Sequence, residues 1–372
     1  VLVAPTRRGA LRRRLLAWYD ASARVLPWRV AQRGADPYRV WLAEAMLQQT
    51  QVARVIPFYR RFLARLPTLE ALAAAPEDEV LALWSGLGYY ARARSLRRAA
   101  QLALARHGGL PAELQALRAL PGFGPYTAGA VASIAFAVPA PAVDGNVARV
   151  LSRLFLVEGR PEAPATRDRL WALAGALVDP VRPGDWNQAL IELGATRCLK
   201  PAPDCARCPV AALCLARRAG RERELPPPRL RPSRARVRLV CAHLTQGGRV
   251  LLVRRPGRGL FAGLWALPAF EVASRSEPAA ALGRMLRVSL GAGVRVGPLL
   301  GAVRRTLTHR DLELLAFQCE GGRLRRSSQR RWVGLADLDR LGVPSAFRAL
   351  LAQAARPRRK GRGPLGNRTD LQ

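Results

Sequence analysis

The sequence predicts a mainly α domain followed by a smaller α+β domain, and three observations predict it. From Leu11 to about Arg218 apolar residues recur at helical spacing, in short runs with clear stops. Residues 221–236, "RERELPPPRLRPSRAR", set consecutive prolines among charges, which makes a stiff, solvated linker. Beyond that linker the apolar period shifts to two, the period of strands.

The elements follow in order. "DPYRVWLAEAMLQQ" opens with Asp36 as a helix N-cap and Pro37 at the first helical position. "TLEALAAAPEDEVLALW" reads as two short helices broken before Pro76. "LPGFGPYTAGA" (120–130) is a hairpin in which Gly122 and Gly124 allow a tight turn with exposed amides. Pro125 then starts a helix whose free N–H groups can hold a phosphate; the plainer use is an ordinary corner between helices. "DGNVARVLSRLFLV" is a further helix, capped by Asp144. Cys198, Cys205, Cys208 and Cys214 share one short loop. After the linker, "VRLVCAHL", "GRVLLVRR", "LWALPAFEV" and "ELLAFQCE" read as strands, with one helix near 279–290 between them. The expected organisation is a helical domain over 11–220, the linker 221–236, a second domain over 237–355, and a disordered basic tail over 356–372. No internal repeat is visible.

Composition narrows the partners. Of 372 residues, 49% are apolar, enough for a sizeable core, yet no run reaches the roughly 18 residues that span a membrane. No secretory signal is evident, so a cytoplasmic protein is expected. Lys and Arg number 61 against 26 Asp and Glu, a net charge of +35. Lysine occurs only at Lys200 and Lys360, so GC-rich coding explains arginine replacing lysine. It does not explain the excess of base over acid, which points to nucleic acid.

The clustered cysteines follow C-x6-C-x2-C-x5-C. Four thiolates on one loop can wrap a cubane iron–sulfur cluster. Structural zinc, which more often uses two separated ligand pairs, is the competitor. Arg197, Lys200 and Arg207 on the same loop suggest contact with phosphate. Cys241 and Cys319 stand apart, as small core residues.

Two carboxylates complete the candidate chemistry. Asp144 as an N-cap sits at the positive end of a helix, which favours its ionised form. Glu44 lies among Ala43, Ala45, Met46 and Leu47, which favours its protonated form. Taken singly, each has a plainer use, as a cap or as the polar edge of a helix. Together they make an acid and an anionic stabiliser, the requirement for breaking a glycosidic bond through a sugar cation.

At this point the chain resembles the adenine DNA glycosylases of the MutY type, among the helix–hairpin–helix, iron–sulfur DNA glycosylases. The carriers are "LPWR" (26–29), "WLAEAMLQQTQV" (41–52), "WSGLGYYARARSL" (84–96), "LPGFGPYTAGAV" (120–131), "VDGNVARVLSR" (143–153), the loop from Cys198 to Cys214, and "LFAGLWALP" (260–268). The resemblance implies a six-helix part over about 30–138 and an iron–sulfur part over about 11–29 plus 139–220. It implies a [4Fe–4S] cluster on Cys198, Cys205, Cys208 and Cys214. It implies a monomer, associated with the bacterial nucleoid, that removes adenine mispaired with 8-oxoguanine or guanine in double-stranded DNA after flipping the nucleotide out.

Residue roles follow from the same resemblance. Glu44 matches the general acid and Asp144 the anion beside the sugar cation, with Tyr126 and Asn146 hydrogen-bonded around that aspartate. Arg29 and Glu192 match contacts to the extruded adenine, and Gln49 and Tyr89 match groups that enter the duplex. Gly122 and Gly124 match the hairpin on the DNA backbone. Endonuclease III-type relatives, pyrimidine-damage glycosylases that also cut the strand, carry a catalytic lysine in the hairpin slot held here by Tyr126, so this chain reads as monofunctional. A non-catalytic DNA-binding scaffold is the other alternative, opposed by the survival of both Glu44 and Asp144. The second domain resembles Nudix hydrolases, but "ALGRMLRVSLGAG" (281–293) lacks their metal-binding glutamates, so recognition of 8-oxoguanine is implied instead. The family's Phe-Ser-His turn is Leu307-Thr308-His309 here, which keeps a hydroxyl at Thr308 and loses the aromatic ring.

Overall fold

The computed structural model describes residues 3–29, 35–229, 233–273, 275–290, 293–321 and 327–355, so the expected tail lies outside the described residues. The chain divides into two compact units, Val1–Arg231 and Pro232–Gln372.

The first unit is helical: α1 Pro5–Ser22, α2 Pro37–Leu47, α3 Val52–Arg65, α4 Leu69–Ala74, α5 Glu77–Trp84, α6 Ala91–His107, α7 Leu114–Arg118, α8 Pro125–Phe136, α9 Gly145–Leu154, α10 Pro164–Leu177, α11 Pro183–Thr196 and α12 Leu215–Arg218. Local chemistry sets many of these ends. Asp36 accepts from the Tyr38 amide and Pro37 opens α2. Thr68 accepts from the Ala71 amide to start α4, and the chain breaks at Pro76 before α5. α2 is buried along most of its length and packs on α8, so both faces of its sequence are apolar and Glu44 is enclosed with them. α1, α9, α10 and α11 share a second core around Leu11, Leu151, Trp186 and Leu190.

α7, the turn and α8 form the hairpin. Gly122 has φ +82, and a Cβ there would meet the Ser95 Cβ at 2.9 Å, so glycine is required. Gly124 differs from expectation: its φ is −79 and a Cβ would meet open space, so the backbone does not need glycine there.

The second unit is a mixed sheet with a helix on each face. It comprises β1 Ala235–Gln246, β2 Arg249–Arg254, β3 Trp265–Ala266, β4 Ala269–Val272, α13 Pro278–Leu290, β5 Val294–Thr306, β6 Arg310–Gly321, β7 Arg330–Gly334 and α14 Ser345–Ala354. The order is β3-β2-β1-β6-β5, with β4 also pairing β1 and β7 pairing β2; β1 and β6 run parallel. Val237, Leu239 and Cys241 face α14, while Val240, Ala242 and Leu244 face α13. Both faces being covered explains the nearly continuous apolar run of β1. The expected single strand "LWALPAFEV" is two short strands, because Pro268 lacks an amide for the ladder. α13 has no acid in its first turn; Glu277 precedes it and accepts from the Ala279 amide at 3.1 Å and the Ala280 amide at 2.5 Å.

Candidate active site and cysteine loop

Burial makes Glu44 chemically unusual. It is 7% exposed within α2, and the Tyr126 hydroxyl, on the first turn of α8, donates to its Oε2 at 2.6 Å. Burial pushes its pKa up to about 7; the Tyr126 bond and Arg29 pull it down, and Asp144 nearby pushes it up. Tyr126 itself is driven well above the ordinary phenol value, by burial first and then by both carboxylates, so it stays a donor. This corrects the expected arrangement: Tyr126 bonds to Glu44, and of the two expected partners Asn146 holds the aspartate.

Asp144 caps α9. Its Oδ1 accepts from the Asn146 and Val147 amides at 2.9 and 2.8 Å, and its Oδ2 from Asn146 Nδ2 at 2.8 Å. Burial raises its pKa, against the downward pull of those donors and of Arg149. The expected depression is thus not met, because desolvation of the partly buried carboxyl group outweighs the pull of its donors. Arg149 steadies the group: Nη2 donates to Asn146 Oδ1 at 2.9 Å and to the Gly194 carbonyl at 2.8 Å, and Nε to the Cys198 carbonyl at 2.8 Å. Gly194 permits this close approach, since a Cβ there would stand 2.6 Å from the Asn146 Cβ.

Glu44, Tyr126, Asp144 and Asn146 line one pocket of about 430 Å³ with Arg24, Arg29, Gln48, Gln49 and Gln188. That volume falls in the range of roughly 300–1,000 Å³ usual for ligand sites. Glu192 does not line it. Its carboxylate is buried behind the wall and is gripped by Arg24 at 2.6 and 2.9 Å and by Arg29 at 3.0 Å. Burial would raise its pKa, but the two guanidinium groups outweigh that and hold it below the ordinary value. Glu192 therefore acts on the pocket through the arginines it orients. Sequence reasoning missed Arg24, which reaches Glu192 across 168 residues; no local spacing announces such a pair. Arg149 carried a signal that could have been read, since it stands three residues after Asn146 on the same helix.

Gln49 and Tyr89 are both exposed and both hold left-handed backbone, with φ +57 and +49. Thr308 and His309 lie exposed in the second unit, in the turn between β5 and β6, which Leu307 closes by donating its amide to the Arg310 carbonyl at 2.7 Å. Leu307, which stands where the resembled turn has an aromatic ring, packs partly buried against that unit's core.

The four clustered thiols surround a small cavity of about 20 Å³, bordered also by Arg153, Arg217 and Glu222. Arg153 Nη1 donates to Cys198 Sγ at 3.2 Å and to the Leu199 carbonyl at 2.8 Å, while Nη2 holds the Lys200 carbonyl and Nε the Leu225 carbonyl. Burial pushes the Cys208 thiol up to about 11 and raises Cys205 and Cys214. Among the described residues no group of three or more His, Cys, Asp or Glu is arranged around a single metal ion. Arg197 and Arg207, expected to meet phosphate, both pair with Asp204, at 3.2 and 2.7 Å. No described helix is long and apolar enough to cross a membrane.

Residues 42–175 match the family described as HhH-GPD superfamily base excision DNA repair protein, and residues 239–353 match the NUDIX domain. The chain is 41% identical over 314 residues to the adenine DNA glycosylase of Homo sapiens, covering 70% of this chain and 57% of that one. It is 41% identical over 207 residues to the adenine DNA glycosylase of Mycolicibacterium smegmatis, covering 55% of this chain and 69% of that one. A solved structure of a thermostable thymine-DNA glycosylase matches with a TM-score of 0.51 and 27% identity, covering 57% of this chain and 98% of that chain. The chain thus spans little more than half the length of the human relative it matches.

Proposed function

Because the chain belongs to the adenine DNA glycosylase family, we propose that it removes adenine mispaired with 8-oxoguanine, or with guanine, from duplex DNA. The observation that carries the reading is the pair of carboxyl groups sharing one pocket, the buried Glu44 bonded by Tyr126 and the partly buried Asp144 bonded by α9. The target nucleotide leaves the stack, since the bond to be broken is out of reach inside the duplex. Glu44 in its acid form gives its proton to N7 of adenine. The bond from C1′ to N9 breaks, and its electron pair leaves with the base. The Asp144 carboxylate stabilises the cation left on the sugar. Water adds to C1′ and its released proton returns to Glu44, leaving free adenine and an abasic sugar. General acid catalysis is worth roughly 10²–10⁴ in such a step. Arg24 and Arg29, oriented by Glu192, are the groups assigned to the extruded base. Gln49 and Tyr89 fill the space it leaves. The hairpin at Gly122 and Gly124 holds the backbone. With Tyr126 in the hairpin slot that position offers no amine for a Schiff base, so the strand stays intact.

The cysteine loop fits a [4Fe–4S] cluster. All four donors are thiols, they line one shared cavity, and Arg153 stands ready to balance negative charge on Cys198. Bound there, the cluster would cross-link the loop to the end of α11 and serve as a structural pin. The second unit is assigned to sensing 8-oxoguanine through Thr308 and His309, the protein acting as a monomer on chromosomal DNA.

The test is release of free adenine from duplexes with one adenine opposite 8-oxoguanine, guanine or thymine. Release from the first two and not the third is expected. Thr308→Val deletes one hydrogen-bonding group worth on the order of 1 kcal/mol and should narrow the preference for 8-oxoguanine over guanine. A preference unchanged in Thr308→Val removes the sensing role from that hydroxyl.

A further inference from the structure

Arg92, in the first turn of α6, sends its guanidinium into the space between two turns. Nη1 donates to the Gln48 carbonyl at 2.6 Å and to the Ala45 carbonyl at 2.8 Å, with the Met46 carbonyl at 3.5 Å. Nη2 donates to the Gly88 carbonyl at 3.4 Å. Its Cζ lies 5.2 Å from the centre of the Tyr89 ring and 5.5 Å from that of Trp84. Nε is buried without a partner among the described residues. Such a placement is costly, so the geometry is held by the bonds the other nitrogens make.

The carbonyls chosen are informative. Gln48 immediately precedes Gln49, and Gly88 immediately precedes Tyr89. Gln49 and Tyr89 are the two exposed side chains assigned above to the duplex, and both hold the left-handed backbone that residues with a Cβ adopt only under constraint. One planar cation thus grips the peptide that leads into each of them. We propose that Arg92 is a positioning residue that locks Gln49 and Tyr89 into one rigid wedge, so that both enter the duplex together as the target base leaves it. The proposal rests on the glycosylase reading, because the wedge has work to do only if a base is extruded.

The bland alternative is that Arg92 merely caps α2, whose last carbonyls would otherwise lack donors. The two roles separate by substrate. Arg92→Lys keeps the charge and one donor in place but loses the planar fork that spans both turns. In the full-length protein it should slow single-turnover release of adenine from an A·G duplex by about a hundredfold, the scale of an ångström-sized misplacement. Release from a duplex whose adenine faces a base-free site, where no partner base has to be parted, should change little. The second readout is fluorescence of 2-aminopurine set in place of the target adenine, which brightens when it unstacks. On binding, the wild type should brighten it and Arg92→Lys should not. Equal slowing on both duplexes, or undiminished brightening with the variant, overturns the proposal in favour of a plain cap. If the wild type releases adenine from neither duplex, the glycosylase reading fails instead, and the fluorescence arm still decides the role of Arg92.

Discussion

Glu44 owes its raised pKa first to burial, and only secondarily to the nearby Asp144. A group near neutrality in its free state is poised to hold a proton and to give it away at working pH. Tyr126 opposes this shift, since its hydrogen bond stabilises the carboxylate form. The sign is therefore fixed. In the proposed mechanism the acid form is the active one, so base release should fall as pH rises through about 7 in the wild type. Tyr126→Phe removes a stabiliser of the anion, so the falling limb should move to higher pH. The check is kcat/KM for adenine release from about pH 5 to 9, which reports the free enzyme; a limb that stays or moves down contradicts the assignment. At this scale the sequence was readable only where partners are near in the chain. Asn146 and Asp144 are two residues apart and share a helix turn. Tyr126 and Glu44 are separated by 82 residues, and Arg24 and Glu192 by 168, so their pairings belong to the packed fold.

Elements succeed here by close approach. α9 and α11 meet where Gly194 admits the Asn146 side chain, and Arg149 spans the same contact to reach the carbonyl of Cys198. The end of α11 is thus shared by the carboxylate group and the cysteine loop. If a cluster occupies that loop, protein prepared without air should be brown, with iron and inorganic sulfide in near-equal amounts. Stoichiometric zinc without colour would sink the iron reading. Helix ends were legible in the sequence because Asp36, Pro37 and Asp144 act within one turn of themselves. β5 was not legible. Gly297, Pro298 and Gly301 interrupt its alternation, and its pairing with β6 slips in register at those positions. α14 was missed for another reason: its apolar face, with Phe347, Leu350 and Leu351, has meaning only against the sheet it covers.

For the whole molecule, a net charge of +35 supplies attraction to any polyanion and names no target. In the proposed function, selectivity comes from the pocket of the first unit and the turn of the second. The central claim is that Glu44 and Asp144 together release adenine and leave the strand uncut. The most direct measurement is a single-turnover reaction on an end-labelled duplex with one adenine opposite 8-oxoguanine. It scores free adenine, and strand breaks before and after alkali, for the wild type and for Glu44→Gln. The wild type should release adenine, with breaks appearing only after alkali. Glu44→Gln should bind the duplex and release almost none, a loss of roughly 10²–10⁴ in rate. Breaks without alkali in the wild type, or near-normal release by Glu44→Gln, would contradict the account.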